Sequence, residues 1–276
     1  MNSYVSFLLL PFLSCLALVG ILAYFGLHVI KRGIIFVDLS LAQVAALGMT
    51  LSILLGNDLD DNATYFLSLG FALIGAALFT YTRGIKSEIP QEAIIGIVYA
   101  VSTAASIMMV SHSPEGAEHI QHLLVGSVLT VTLDSTLKAA GLFAIIGLFH
   151  FIKRVKFLEL SFKQNTNNQY SKPWEFLFYA SFAVAVTSAV KICGVLMVFV
   201  FLVVPSVYAA LVTNRGVMSR LLHGWLFGII GSAGGLVLSF QLDTPTGATI
   251  VCTFGAMLLL FGCYKILFKS AAPDTN

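Results

Sequence analysis

Charged residues are scarce in this chain of 276 residues, since Asp, Glu, Lys and Arg make up 10% of it and the net charge is only +2. A soluble domain carries about 25% charged residues. Hydrophobic residues instead make up 58% of the chain, more than the interior of a soluble protein of this size can hide. The composition therefore excludes a soluble domain and gives no sign of a nucleic-acid partner. It predicts an all-α protein with many membrane-spanning helices.

Motifs that indicate an enzyme or a cross-linked domain are also missing. The chain has no GxxxxGK[ST] phosphate loop, so any ATP-driven process needs another chain. It has no HExxH, which argues against an intramembrane metalloprotease. Its four cysteines show no paired spacing and predict neither a disulfide framework nor a zinc site: Cys15, Cys193, Cys252 and Cys263.

Long apolar segments dominate what is present. A helix needs about 20 apolar residues to cross the hydrocarbon of a bilayer. Nine segments meet this requirement, at roughly 5–30, 34–56, 64–83, 92–110, 133–152, 174–190, 192–213, 220–240 and 246–268. The sixth and seventh are divided at Lys191, because their combined apolar run is too long for one span. On the eighth, two GxxxG motifs predict close helix packing: Gly224, Gly228, Gly231 and Gly235.

Basic residues mark one side of the membrane. Thirteen of the fifteen lysines and arginines fall in alternate loops, after the first, third, fifth, seventh and ninth segments. The positive-inside rule places these loops in the cytoplasm. The loops between them are acidic and carry Asp58, Asp60, Asp61, Glu115, Glu118 and Asp243. We therefore expect residues 1–276 to form one transmembrane domain, with its N-terminus outside and its C-terminus in the cytoplasm.

One predicted outer loop, residues 111–126, reads SHSPEGAEHIQHLLVG and holds three of the six histidines. If the chain after Pro114 and Gly116 is helical, four potential ligands share a face at i, i+3, i+4 and i+7: Glu115, Glu118, His119 and His122. Imidazole and carboxylate ligands suit Zn²⁺, Mn²⁺ or Fe²⁺. Few ligands with open positions would bind such an ion transiently, as transport requires.

The alternative for this loop is a polar surface segment whose histidines bind nothing. The remaining histidines are isolated near the ends of apolar segments, where we expect an interfacial position rather than metal ligation: His28, His150 and His223.

The second apolar segment carries a polar group inside the membrane. Asp38 lies about two turns from the predicted cytoplasmic edge, with Ser40 and Gln43 further along. An ionised carboxylate there costs several kcal/mol unless it is paired or hydrated, so acids within the membrane often mark a pathway. The alternative is that Asp38 bonds to a neighbouring helix.

Three stretches resemble the membrane subunit of bacterial ABC importers for zinc, manganese and iron. They are RGIIFVDLSLAQVAALG (32–48), PQEAIIGIVYAVSTAASIMM (90–109) continued by HLLVGSVLTVT (122–132), and KICGVLMVFVFLVVPSVYAALVT (191–213). Glu92 followed by Gly96 also fits the likeness. In the family an Asp is typically followed four residues later by His; Asp38 matches the Asp, but position 42 is Ala, and Gln43 follows.

The resemblance implies a permease fold, a homodimer of permeases, two ATPase subunits in the cytoplasm and an extracytoplasmic metal-binding protein. It also implies that a short helix after the fifth span, in the cytoplasmic loop at about 153–174, docks on the ATPase. We expect the docking residues to be Phe157, Leu158, Glu159 and Phe162.

The predicted function is that of a permease subunit in the cytoplasmic membrane of a bacterium, which imports zinc, manganese or iron with no permanently bound cofactor. The outer loop would receive the ion, Asp38 would line its route, and Ser40, Gln43 and Glu92 would contribute to that route. Two alternatives stay open: a secondary transporter that exchanges metal for protons, and a permease of the same fold for a non-metal substrate.

Overall fold

The structure, a computed structural model, describes residues 2–58, 61–83, 89–111, 126, 128–162 and 171–269. These residues form nine α-helices and a short 3₁₀ turn, Val128–Thr130. The helices are α1 (Asn2–Arg32), α2 (Val37–Leu54), α3 (Asn62–Arg83), α4 (Gln91–Val110), α5 (Leu133–Ile152), α6 (Arg154–Phe162), α7 (Lys172–Val212), α8 (Val217–Leu242) and α9 (Thr246–Lys269).

Eight of these helices, all except α6, are long and apolar enough to span a membrane. Each of the nine predicted apolar segments lies in one of them, which confirms an all-helical membrane protein. The sixth and seventh predicted segments fall together in α7, a single element of 41 residues. The predicted break at Lys191 is misplaced, because Lys191 is helical and the non-helical residue is Gly194.

Helix α7 folds back on itself at Gly194. Near its start, Glu175 forms an ion pair with Arg32 at 2.8 Å, and near its end, Ala209 packs against Leu27. Both contacts lie in the last two turns of α1, whereas a straight helix would separate residues 175 and 209 by about 50 Å. Gly194 has φ 76° and ψ 167°, a conformation that is essentially restricted to glycine. The two halves of α7 therefore supply two antiparallel crossings.

The bundle has two chemically different ends. One, here called the basic end, carries Arg32, Arg83, Lys153, Arg215 and Lys265 at or near the ends of their helices. The other, here called the opposite end, holds the start of α3, the start of α5 and the turn of α7 at Gly194. Alternation of charge along the sequence thus corresponds to a real separation in space.

Small residues bring α8 close to its neighbours, as the GxxxG motifs predict. A Cβ on Gly228 would lie 2.4 Å from a methyl of Val19, and one on Gly235 would lie 2.8 Å from the Cα of Ile250. Gly231 meets the ring of Phe254 in the same way, at 2.7 Å. Because membrane helices associate mainly through close packing, these contacts hold α8 between α1 and α9.

Candidate functional site

Asp38 is a buried carboxylate in the first turn of α2. The residue is only 1% exposed, and neither carboxylate oxygen has a hydrogen-bond partner among the described residues. A helix N-terminus favours a negative charge electrostatically, yet an unpartnered buried carboxylate remains costly. The alternative prediction was that Asp38 bonds to a neighbouring helix. No such bond occurs among the described residues, so contacts within them do not explain this buried carboxylate.

Glu92, from the first turn of α4, faces the same region. Its Oε1 accepts a hydrogen bond from the backbone N–H of Phe36 at 3.0 Å, while its Oε2 has no partner. Phe36 is the N-cap residue of α2, so Glu92 caps that helix from a neighbouring one. Phe36 lies two positions before Asp38, so Glu92 approaches the same end of α2, and Asp38 and Glu92 are here called the acidic pair.

The other predicted route residues lie along α2. Ser40 is fully buried and its hydroxyl has no partner, and Gln43 is 6% exposed. Carboxylate, amide and hydroxyl oxygens together are ligands that divalent cations accept. Within the described part of the chain no group of three or more His, Cys, Asp or Glu side chains could hold a metal ion.

The four predicted ligands of the outer loop, Glu115, Glu118, His119 and His122, lie outside the described residues. The end of that loop is described at Gly126, which has φ +61°. A Cβ at this position would lie 2.2 Å from the carbonyl carbon of Cys193 and 2.4 Å from the nitrogen of Gly194. The loop therefore ends against the backbone turn of α7.

A cavity of about 720 Å³ opens at the opposite end. Hydroxyl groups line much of it, and two of them, on Tyr65 and Ser188, share a hydrogen bond of 3.0 Å. Charged groups also reach it: Asp134, Lys138 and Lys191. Sequence reasoning did not find this cavity, because its residues come from α3, the 3₁₀ turn, α5 and α7 and form no local motif.

Two histidines near the basic end are buried, so the predicted interfacial position was wrong for His28 and His150. They are 0% and 1% exposed. The Nε2–H of His150 donates to Ser181, whose own hydroxyl donates to the carbonyl of Phe178, and Tyr24 donates to its Nδ1 at 3.1 Å. His28 Nδ1 bonds to the hydroxyl of Ser161 at 2.8 Å. Through these contacts the two imidazole rings stabilise the packing of the helices.

The short helix α6 confirms the helix that we predicted in the loop after α5, and it is fixed to the bundle by one face. Phe157 is fully buried, and its ring stacks on His150 with centroids 3.9 Å apart. Phe162 contacts the ring of His28 at 5.5 Å. Leu158 and Glu159 are partly exposed, and Arg154, Val155 and Lys156 are exposed. Of the four predicted docking residues, Phe157 thus points into the chain.

A family model and the similar proteins agree on one family. The model of the ABC 3 transport family matches residues 5–265. The "Probable metal transport system membrane protein" of Chlamydia pneumoniae is 24% identical over 99% of this chain and 94% of its own length. The manganese transport system membrane protein MntC of Listeria monocytogenes is 24% identical over 82% of this chain and 79% of its own length.

A solved structure has the same fold. PsaBC from Streptococcus pneumoniae, determined in complex with a Fab, superposes with a TM-score of 0.74 at 24% identity, covering 92% of this chain and 90% of that one. The order and packing of the helices described above are therefore those of a known transporter fold.

Proposed function

The chain belongs to the ABC 3 transport family, and from that premise we propose that it is the permease subunit of an ATP-driven importer of divalent metal ions. The buried, unpartnered carboxylate of Asp38 carries this proposal, because a cation is the partner that its surroundings lack. Relatives are named for metal, manganese and iron transport. Zinc, manganese and iron all suit the carboxylate and imidazole groups of this chain.

Import is the direction that the sequence resemblance implies. Under the positive-inside rule the basic end would face the cytoplasm, with the N-terminus outside and the C-terminus inside a bacterial cytoplasmic membrane. An extracytoplasmic binding protein would then deliver the ion to the outer loop, where Glu115, Glu118, His119 and His122 receive it. The acidic pair and Gln43 take the ion over on its way to the cytoplasm.

The energy comes from other chains in this proposal. The exposed side of α6, with Leu158, Glu159 and residues 154–156, is the surface offered to an ATPase subunit, whereas Phe157 and Phe162 hold the helix in place. A second copy of the permease and two ATPase subunits complete the assembly, as in the arrangement that the sequence resemblance implies.

Replacing Asp38 tests the proposal directly. We expect Asp38→Asn to reduce the uptake of ⁶⁵Zn or ⁵⁴Mn at least about tenfold in cells that express the transporter, because the route loses its only buried charge in α2. The matched control is Asp243→Asn, which removes an exposed carboxylate at a left-handed position that asparagine tolerates. Wild-type uptake by Asp38→Asn, with equal amounts in the membrane, would contradict the proposal.

The energy source distinguishes an ATP-driven importer from the alternative, a transporter that exchanges metal for protons. An importer driven by ATP keeps transporting when an uncoupler dissipates the proton gradient at constant ATP. Uptake that stops under these conditions would favour exchange of metal for protons across the acidic pair.

A further inference from the structure

A continuous set of polar contacts crosses the basic end. Arg32 Nε donates to the hydroxyl of Ser161 in α6, and its Nη1 donates to Glu175 Oε2, each at 2.8 Å. The other oxygen of Glu175 lies 3.4 Å from Nε of Arg83. Tyr179, one turn after Glu175, accepts from Arg83 and from Gln91, each at 3.3 Å. The set joins α6, α1, α7, α3 and α4, and is here called the basic-end network: Ser161, Arg32, Glu175, Arg83, Tyr179 and Gln91.

The centre of this network is shielded from solvent. The side chains of Arg32 and Glu175 are 0% and 2% exposed, and that of Arg83 is 14% exposed. The guanidinium of Arg32 lies over the ring of Phe178 at 3.7 Å. In such surroundings charge interactions are strong, so displacing the carboxylate of Glu175 from either guanidinium group costs free energy.

The network ends beside the acidic pair. Gln91 precedes Glu92 in the first turn of α4, and its amide also donates to the carbonyl of Phe79 at 2.9 Å. Glu92 in turn caps the start of α2, where Asp38 lies. A displacement of α6 is thus connected to the start of α4 by hydrogen bonds and by the Glu175–Arg83 ion contact at 3.4 Å, and Glu92 follows Gln91 directly in the chain.

We propose that the basic-end network is the mechanical link between α6 and the acidic pair, and that Glu175 is the positioning residue at its centre. The role of the basic-end network in transport rests on the proposed function. Glu175 does not contact the ion; it fixes Arg32 and Arg83, through which the position of α6 determines that of Gln91 and Glu92.

A mutant cycle on the purified chain in lipid nanodiscs tests the link without any transport. Ser161→Ala and Gln91→Ala act on side chains that do not contact each other, so independent effects on thermal unfolding would be additive. We expect their combined effect to deviate from the sum by at least about fivefold in the unfolding equilibrium constant, which exceeds the scatter of independent sites. The deviation should disappear in the Glu175→Gln background.

The control pairs Ser161→Ala with Thr103→Ala. Thr103 is also in α4, but its hydroxyl donates only to the carbonyl of Tyr99 in the same helix, at 2.8 Å. This pair should be additive. Additivity of Ser161→Ala with Gln91→Ala would overturn the link. If Glu175→Gln does not fold, Tyr179→Phe, which removes only the hydroxyl, takes its place and should abolish the deviation in the same way.

Uptake measurements separate this inference from the proposed function. We expect the single variant Ser161→Ala to lower the maximal uptake rate of ⁵⁴Mn or ⁶⁵Zn at least about threefold with an unchanged KM, since it weakens the contact of Arg32 with α6 and leaves the residues beside the acidic pair in place. An unchanged maximal rate would contradict the link while leaving the proposed function in place. A wild-type chain that carries no metal would refute the proposed function, even if the cycle shows coupling.

Discussion

Some residues of this chain are identifiable from the sequence alone, whereas others become important only through contacts in the folded structure. Asp38 was found from sequence because a single acid in an apolar helix is conspicuous. Glu175 was not, although it holds Arg32 and Arg83, because it lies at the start of a predicted span, where charged residues are common. Its role depends on residues 143 and 92 positions away along the chain, a relation that spacing alone cannot reveal.

Gly194 carries the residue-scale prediction. Its φ of 76° with ψ 167° belongs to a region that side-chain-bearing residues avoid. We expect Gly194→Ala to destabilise the chain by about 1–3 kcal/mol, the cost of holding such a backbone conformation. The measurement is the thermal unfolding midpoint in detergent.

A suitable control for that prediction is Gly20→Ala. Gly20 is helical and a Cβ there would meet nothing within 4 Å. This variant should unfold at or slightly above the wild-type temperature, because alanine favours a helix by about 1 kcal/mol over glycine. Equal midpoints for Gly194→Ala and the wild type would show that the turn does not need glycine.

Among the described α-helices, α6 is the shortest. Its nine residues are too few for stability in isolation, so packing against the bundle must hold it. Phe157 provides this packing through His150 and Trp174. The sequence predicted a short helix here but placed Phe157 among the docking residues, because an apolar side chain in a polar loop does not show which side it faces.

Truncating Phe157 should therefore release α6 from the bundle. We expect Phe157→Ala to cost about 3–5 kcal/mol of local stability, the usual effect of removing a buried aromatic ring. Limited proteolysis should then cleave the chain between α5 and α7 faster than in the wild type. Phe66→Ala, which removes a ring in α3 that is 67% exposed, should leave the cleavage rate unchanged. Equal rates for both variants would mean that another contact anchors α6.

At the scale of the whole molecule, the segments and the charge alternation were predictable because both follow from the cost of placing polar groups in lipid. Close packing of helices was predictable only for α8, where the GxxxG motifs indicate it. The cavity and the basic-end network were not predictable, since each collects residues from four or five separate helices or turns. The residues of the outer loop lie outside the described part of the chain, and their metal binding stays a prediction.

The orientation of the bundle can be measured with a membrane-impermeant maleimide. In a chain whose exposed Cys252 and Cys263 are replaced by serine, we expect Asp58→Cys to react in intact spheroplasts. Lys156→Cys, at the basic end, should react only after permeabilisation. The reverse pattern would place the histidine-rich loop in the cytoplasm and remove it from metal uptake.

The turn of α7 has a consequence for how the protein is made. With one residue between the two antiparallel halves, there is no hydrophilic connector for the insertion machinery to translocate separately, and the pair must enter the bilayer as a unit. A nascent chain that passed straight through at Gly194 would leave α8 and α9 inverted. Correct insertion of the last third of the polypeptide thus requires Gly194 to reach its turn conformation during synthesis.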